Sequence, residues 1–203
     1  MDGKFVASSI PVTMTGGTLS AATKSDLFGT TQFTLTDGTF EFGDYLNIRD
    51  SVFVDLAGGT VTGGEISVAQ GERDALRFSG ADVTVSKIET GDESGGRYGN
   101  IVQTGGTLTV TGSGSGKSAP LHISHWSGWS NYTMTGGQLF VPNGEVRIGQ
   151  DGTGHLILSG GYAEVKSIGI TAGKVTLAGG TLKVLTGQTL PITFTAGIAS
   201  RVI

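Results

Sequence analysis

The strongest constraint on this chain is a glycine corner that keeps returning. Thr-Met-Thr-Gly-Gly occurs at 13–17 and again at 133–137, each time followed one residue later by leucine. The relaxed form is an apolar residue, a small residue, two glycines or near-equivalents, a polar residue and an apolar one. It reads MTGGTL at Met14, LTDGTF at Leu35, LAGGTV at Leu56 and FSGADV at Phe78. It continues as QTGGTL at Gln103, MTGGQL at Met134, LSGGYA at Leu158 and LAGGTL at Leu177. Successive copies lie 21, 21, 22, 25, 31, 24 and 19 residues apart. Recurrence at such a period marks a stacked repeat architecture.

The flanks say what each unit is. Val12, Met14 and Leu19 are separated by threonines, an alternation of period two that belongs to strands with one buried face. The paired glycines mark a corner that needs unusual backbone angles. A third short apolar segment precedes most motifs, centred on Ile48, Ile66, Ile88, Ile123, Ile148 and Ile168. Each unit thus supplies about three strands and three turns, and no stretch carries a helical period. Units of this size bury their inner faces by stacking. The expected fold is all-β, a right-handed parallel β-helix (a β-solenoid) of about eight rungs of 19–31 residues, roughly 40 Å long. It forms one domain over residues 1–203, whole or as a segment of a longer exported chain. A β-sandwich would not repeat the same corner. Met14, Leu35, Leu56, Phe78, Met134, Leu158 and Leu177 are expected to form one inward ladder.

Composition removes other classes. Glycine numbers 36, where average usage gives roughly 14, but it does not fall at every third residue, which excludes collagen. With 37% hydrophobic and 15% charged residues, the chain is too apolar for disorder. Its net charge of −4 comes without a basic run, which argues against nucleic acid as a partner. Cysteine is absent, so disulfides, thiolate metal sites and a cysteine nucleophile are excluded. No apolar run approaches a membrane span, and the N-terminus does not read as a secretory signal. An exported form would have lost its signal or carry it on a longer parent.

The stretches VRIGQDGTGHLILSGG (146–161) and ISHWSGWSNYTMTGGQL (123–139) resemble the glycine-rich repeats of autotransporter-passenger-like and PEP-CTERM-type bacterial surface proteins. The match is best across 123–182 and is weaker, though periodic, over 14–83. The resemblance implies a right-handed β-helix that is secreted or displayed on the bacterial surface. The chain departs from that pattern in having neither an outer-membrane barrel nor a sorting tail.

Several motifs invite chemistry and are better read as architecture. GSGSGKS at 112–118 is not a phosphate loop: the position where that motif needs its first glycine is Thr111, and a strand-like segment follows instead of a helix. Asp151, in IGQDGTGHL, has no partner at nine-residue spacing, as stacked calcium-binding nonapeptides require. Outward threonine pairs at 13/15, 34/36 and 133/135 would suit an ice-binding array, but Asp55, Arg77 and Gln103 interrupt it. His122, His125 and His155 are expected at the surface, with no metal and no cofactor.

One lateral face stands apart. The segments QGERDA, ETGDESGGRYGN, SHWSGWSN and GQDGTG follow the third strand of successive rungs and should occupy one corner. They would present Glu72, Arg73, Asp74, Asp92, Glu93, Arg97, Tyr98, His125, Trp126, Trp129 and Asp151 together. Aromatic faces beside charged and hydroxyl groups suit sugar rings. Asp92, Glu93, Arg97, Tyr98, His125, Trp126 and Trp129 are the candidate ligand-binding residues. The favoured expectation is a non-catalytic structural or adhesive surface module. A carbohydrate-binding module is the alternative. A polysaccharide lyase or hydrolase built on Asp92, Glu93 and Arg97 is the second. The apolar C-terminal stretch LPITFTAGIASRVI carries no polar cap, so end-to-end self-association or further rungs in a parent chain are expected.

Overall fold

A computed structural model of the chain describes residues 3–70, 74–91, 98–186, 192–194 and 201–202. Among these residues the strands pair in parallel and stack as a β-solenoid of about eight turns. The one helical element among the described residues is a single 3-10 turn, Gly116–Ser118.

Three sheets form the walls. The first stacks 11–14, 32–35, Phe53–Leu56, Asp74–Phe78, Asn100–Gln103, Trp129–Met134, 153–158, 173–177 and Ile192–Phe194. The second begins after the glycine corner, with Leu19, Phe40, Val61, Val83, Leu108, Leu139, Ala163 and Leu182 in register. The third carries Leu46, Ile66, Ile88, Leu121, Val146 and Ile168. Strict alternation puts these residues inside: Phe53–Leu56, Asn100–Gln103 and Thr107–Val110 each alternate half-buried with buried.

The expected inward ladder is present. Met14, Leu35, Leu56, Phe78, Gln103, Met134, Leu158 and Leu177 pair rung to rung, and Phe194 follows. From Leu35 to Leu177 every member is fully buried. Gln103 corrects the sequence reading: it lies inside this ladder, and Val102 takes the outward place between Arg77 and Thr133. Its amide is satisfied there. Gln103 Oε1 accepts from the Tyr132 hydroxyl at 2.7 Å, and Nε2 donates to the Gln138 carbonyl at 2.9 Å. A buried amide fully engaged in this way is tolerated by an apolar core.

The glycine corner is explained by close backbone stacking. Gly59 has φ +73°, and a Cβ there would lie 2.4 Å from the Gly38 carbonyl oxygen of the rung below. A side chain is thus excluded both by the left-handed backbone and by the neighbouring rung. Ala81 fills the equivalent place in FSGADV without positive φ.

The third sheet pairs differently from the isoleucine alignment. The sequence alone aligns Ile66, Ile88, Ile123 and Ile148 as equivalents. In the fold Ile88 pairs with Leu121, while Ile123 pairs with Ile148. A two-residue offset keeps every side chain on its own face, so the alternation survives.

Candidate functional site

The variable corner, between the third sheet and the next rung's first strand, brings together part of the predicted face. Tyr98 and Trp129 form an isolated parallel bridge, with ring centroids 6.0 Å apart at 86°. Trp129 is 50% exposed, Tyr98 and Trp126 are half-buried, and Asp151 is exposed. The backbone beneath them is fixed. Ser124 N–H donates to Thr90 Oγ1 (2.8 Å), His125 N–H to the Thr90 carbonyl (2.8 Å) and Asp151 N–H to the His125 carbonyl (3.2 Å). Asp92, Glu93 and Arg97, with Glu72 and Arg73, lie outside the described residues, as does the side chain of Asp74.

The histidines depart from expectation. His122 is fully buried and His125 is 8% exposed. Alternation does place His122 on the outer face of the third sheet, beside Glu89 below and Arg147 above. What buries it is the GSGSGKS loop, which folds back across that face. His122 Nε2 meets the Gly116 carbonyl at 2.8 Å, and the Gly116 N–H donates to Glu145 Oε1 at 3.2 Å. His122 stacks on His125 (4.2 Å, 10°), and His125 stacks in turn on Trp126 (4.5 Å, 24°).

Charge is concentrated beside this stack. Lys87 Nζ lies 2.5 Å from Glu89 and 3.3 Å from Glu65, and Glu89 Oε2 accepts from His125 Nδ1 at 2.9 Å. Burial works to raise the Glu89 carboxyl, but hydrogen bonds from Lys87 and His125 outweigh it and hold it below its usual range. Burial and the Glu89 charge raise Glu65. Burial opposes the Lys87 ammonium, yet its two carboxylate partners raise it overall. Burial, then repulsion from His125, pushes His122 down to about 4, so its ring is neutral near pH 7.

A carbonyl oxygen only accepts, so His122 carries its proton on Nε2 and leaves a lone pair on Nδ1. That nitrogen is buried and finds no hydrogen-bond partner among the described residues. An orphaned buried polar atom costs about 1–3 kcal/mol. Glu89, His122 and His125 each offer one ligand atom, all within 4.8 Å of one another.

The Glu65–Lys87–Glu89–His122 wall escaped sequence reading. Its only signal was the charged or polar residue flanking each third-strand isoleucine, in SKIET and LHISH. Spacing alone does not show that such residues line up. Among the described residues, no helix is long and apolar enough to cross a membrane. No family model, curated protein or solved structure matches the chain.

Proposed function

We propose that this chain is a non-catalytic β-solenoid module of a secreted bacterial protein, structural or adhesive, working at the cell surface. The supporting observation is the variable corner. A half-exposed indole, Trp129, stands edge-on to Tyr98 on a backbone pinned by its neighbouring rungs. Rigid aromatic groups on a stacked scaffold suit contact with large partners at small ordering cost. The glycine-rich motifs of 123–182 support export. Protease shaving of intact source cells tests this: peptides of the chain should be released before lysis, and release only after lysis overturns the reading.

A second reading has its own support. The same corner is a carbohydrate-binding face, because Trp129 offers an open ring beside the amide-bearing Asn131 and Asn100, and Asn100 Oδ1 accepts from the Asn131 backbone N–H at 3.2 Å. Indole faces stack on sugar rings, and amides hydrogen-bond their hydroxyls. Glycan-array binding that Trp129→Ala removes would support it; an array with no binder overturns it. Incubation with each bound polysaccharide separates retention from cleavage, and release of shortened products would favour a lyase or hydrolase instead.

End-to-end association is part of the proposal. In the first rung Phe5, Val12, Met14 and Leu19 are only partly buried, and Val6 and Ile10 are about half exposed. An edge of this kind invites another rung. Sedimentation of the chain should show association that rises with concentration, and a strict monomer would remove this element.

A further inference from the structure

We propose that Glu89, His122 and His125 form a binding site for one first-row divalent cation of the zinc class on the outer wall of the third sheet. One carboxylate and two imidazoles make a nitrogen–oxygen donor set of borderline hardness. Such a set suits Zn2+ better than Mg2+ or Ca2+, which prefer oxygen alone.

Three observations converge. The ligands come from adjoining rungs and are positioned by main chain: Glu89 pairs with His122 in register, and His125 is fixed through its N–H to Thr90. The orphaned Nδ1 of His122 is the second. Its opposite nitrogen donates to the Gly116 carbonyl, the arrangement by which a ligating imidazole is usually oriented. The third is charge. Glu65 and Glu89 share one ammonium, Lys87, while Arg147 is occupied by Glu145 at 3.3 Å. Among the described residues that leaves more carboxylate than ammonium charge beside the two imidazoles, a field that favours a cation.

The stacked rings define how the site loads. An imidazole lone pair lies in the ring plane, and two rings parallel to within 10° have no shared in-plane point. One ring must therefore turn. His122 is anchored by Gly116, so His125 turns, exchanging its contact with Glu89 and its stack on Trp126 for the ion. Trp126 becomes an internal reporter.

The test is a titration of the full chain with zinc chloride in metal-free, non-chelating buffer at neutral pH. Calorimetry, tryptophan emission and imidazole 15N NMR follow it. We expect one Zn2+ per chain with a dissociation constant on the order of micromolar. Emission should change in step with occupancy, and the ring nitrogens of His122 and His125 should shift while those of His155 stay put. His125→Gln and His122→Gln should each weaken binding about tenfold or more, with His155→Gln unchanged. The NMR measurement on the unsubstituted chain decides the matter even where His122→Gln fails to fold. No saturable binding up to about 100 μM free Zn2+ overturns the proposal. So does binding that leaves the His122 and His125 resonances unmoved, or that survives both glutamine variants.

Discussion

The solenoid has two kinds of corner, and they are built on opposite principles. Between the first and second sheets the chain discards side chains: Gly59 sits against the Gly38 carbonyl, and Gly137 and Gly161 repeat the arrangement at φ +78°. Between the third sheet and the next rung it does the reverse. Tyr98 meets Trp129 there, Trp126 stacks on His125, and the insertions differ in length and composition. At Gly59, Gly137 and Gly161 the glycine corner sets how closely one rung stacks on the next, because a Cβ there would overlap the backbone of the neighbouring rung. With that stacking set, the other corner is free to vary without disturbing the core. Regularity at one edge permits chemistry at another.

Substitution can break the comparison where it is strongest. Gly59→Val should destabilise by about 4 kcal/mol, since it combines a left-handed β-branched residue with overlap on the rung below. Gly17 has φ +75° but nothing within 4 Å of a Cβ. Gly17→Ala should therefore cost only the conformational part, about 1–2 kcal/mol. Equal losses in chemical denaturation would show that stacking contributes nothing to the corner. Leu56→Ala, in the inward ladder, should cost about 3 kcal/mol with an unchanged denaturant slope.

The smaller effects sharpen the contrast. At the outer wall, burial works to raise Asp26, but hydrogen bonds from Lys4 and Asn47, with the charge of Lys24, hold it below its ordinary range. Its contribution is therefore complete above about pH 4 and is lost as the pH falls through the depressed value. Asp26→Asn should flatten the acid limb of the stability profile by under about 1 kcal/mol, because Lys4 is largely solvated. At the variable corner Trp129→Ala should change stability by no more than about 0.5 kcal/mol, as an exposed residue outside the ladder. A loss as large as that of Leu56→Ala would make the corner part of the core.

What could be read in advance follows the same division. The corner and the ladder were legible because their causes are local and repeated: positive φ, a clash with the rung below and period-two burial. Gln103 reads as outward in the sequence because a polar residue does so until its partner is known. That partner, Tyr132, is 29 residues away. For His122 the alternation gives the face but not the environment, since it says which way a side chain points and not what crosses above it. The 112–118 loop that covers it shows in the sequence only as a glycine-serine stretch. The Glu89–His122–His125 group was invisible for a further reason. It needs the pairing of Ile88 with Leu121, which the isoleucine alignment hides.

The parallel pairing has a mechanical consequence. Hydrogen bonds between rungs run along the length of the rod, so tension applied at its two ends falls on the interfaces in succession. Such a rod opens like a zipper under load. Each released coil of about 23 residues exchanges a ~4.8 Å rise for roughly 75 Å of extended chain. Pulled steadily, the molecule would behave as an extensible tether of similar steps. The longer rungs around residues 103–134 would give the longest of them.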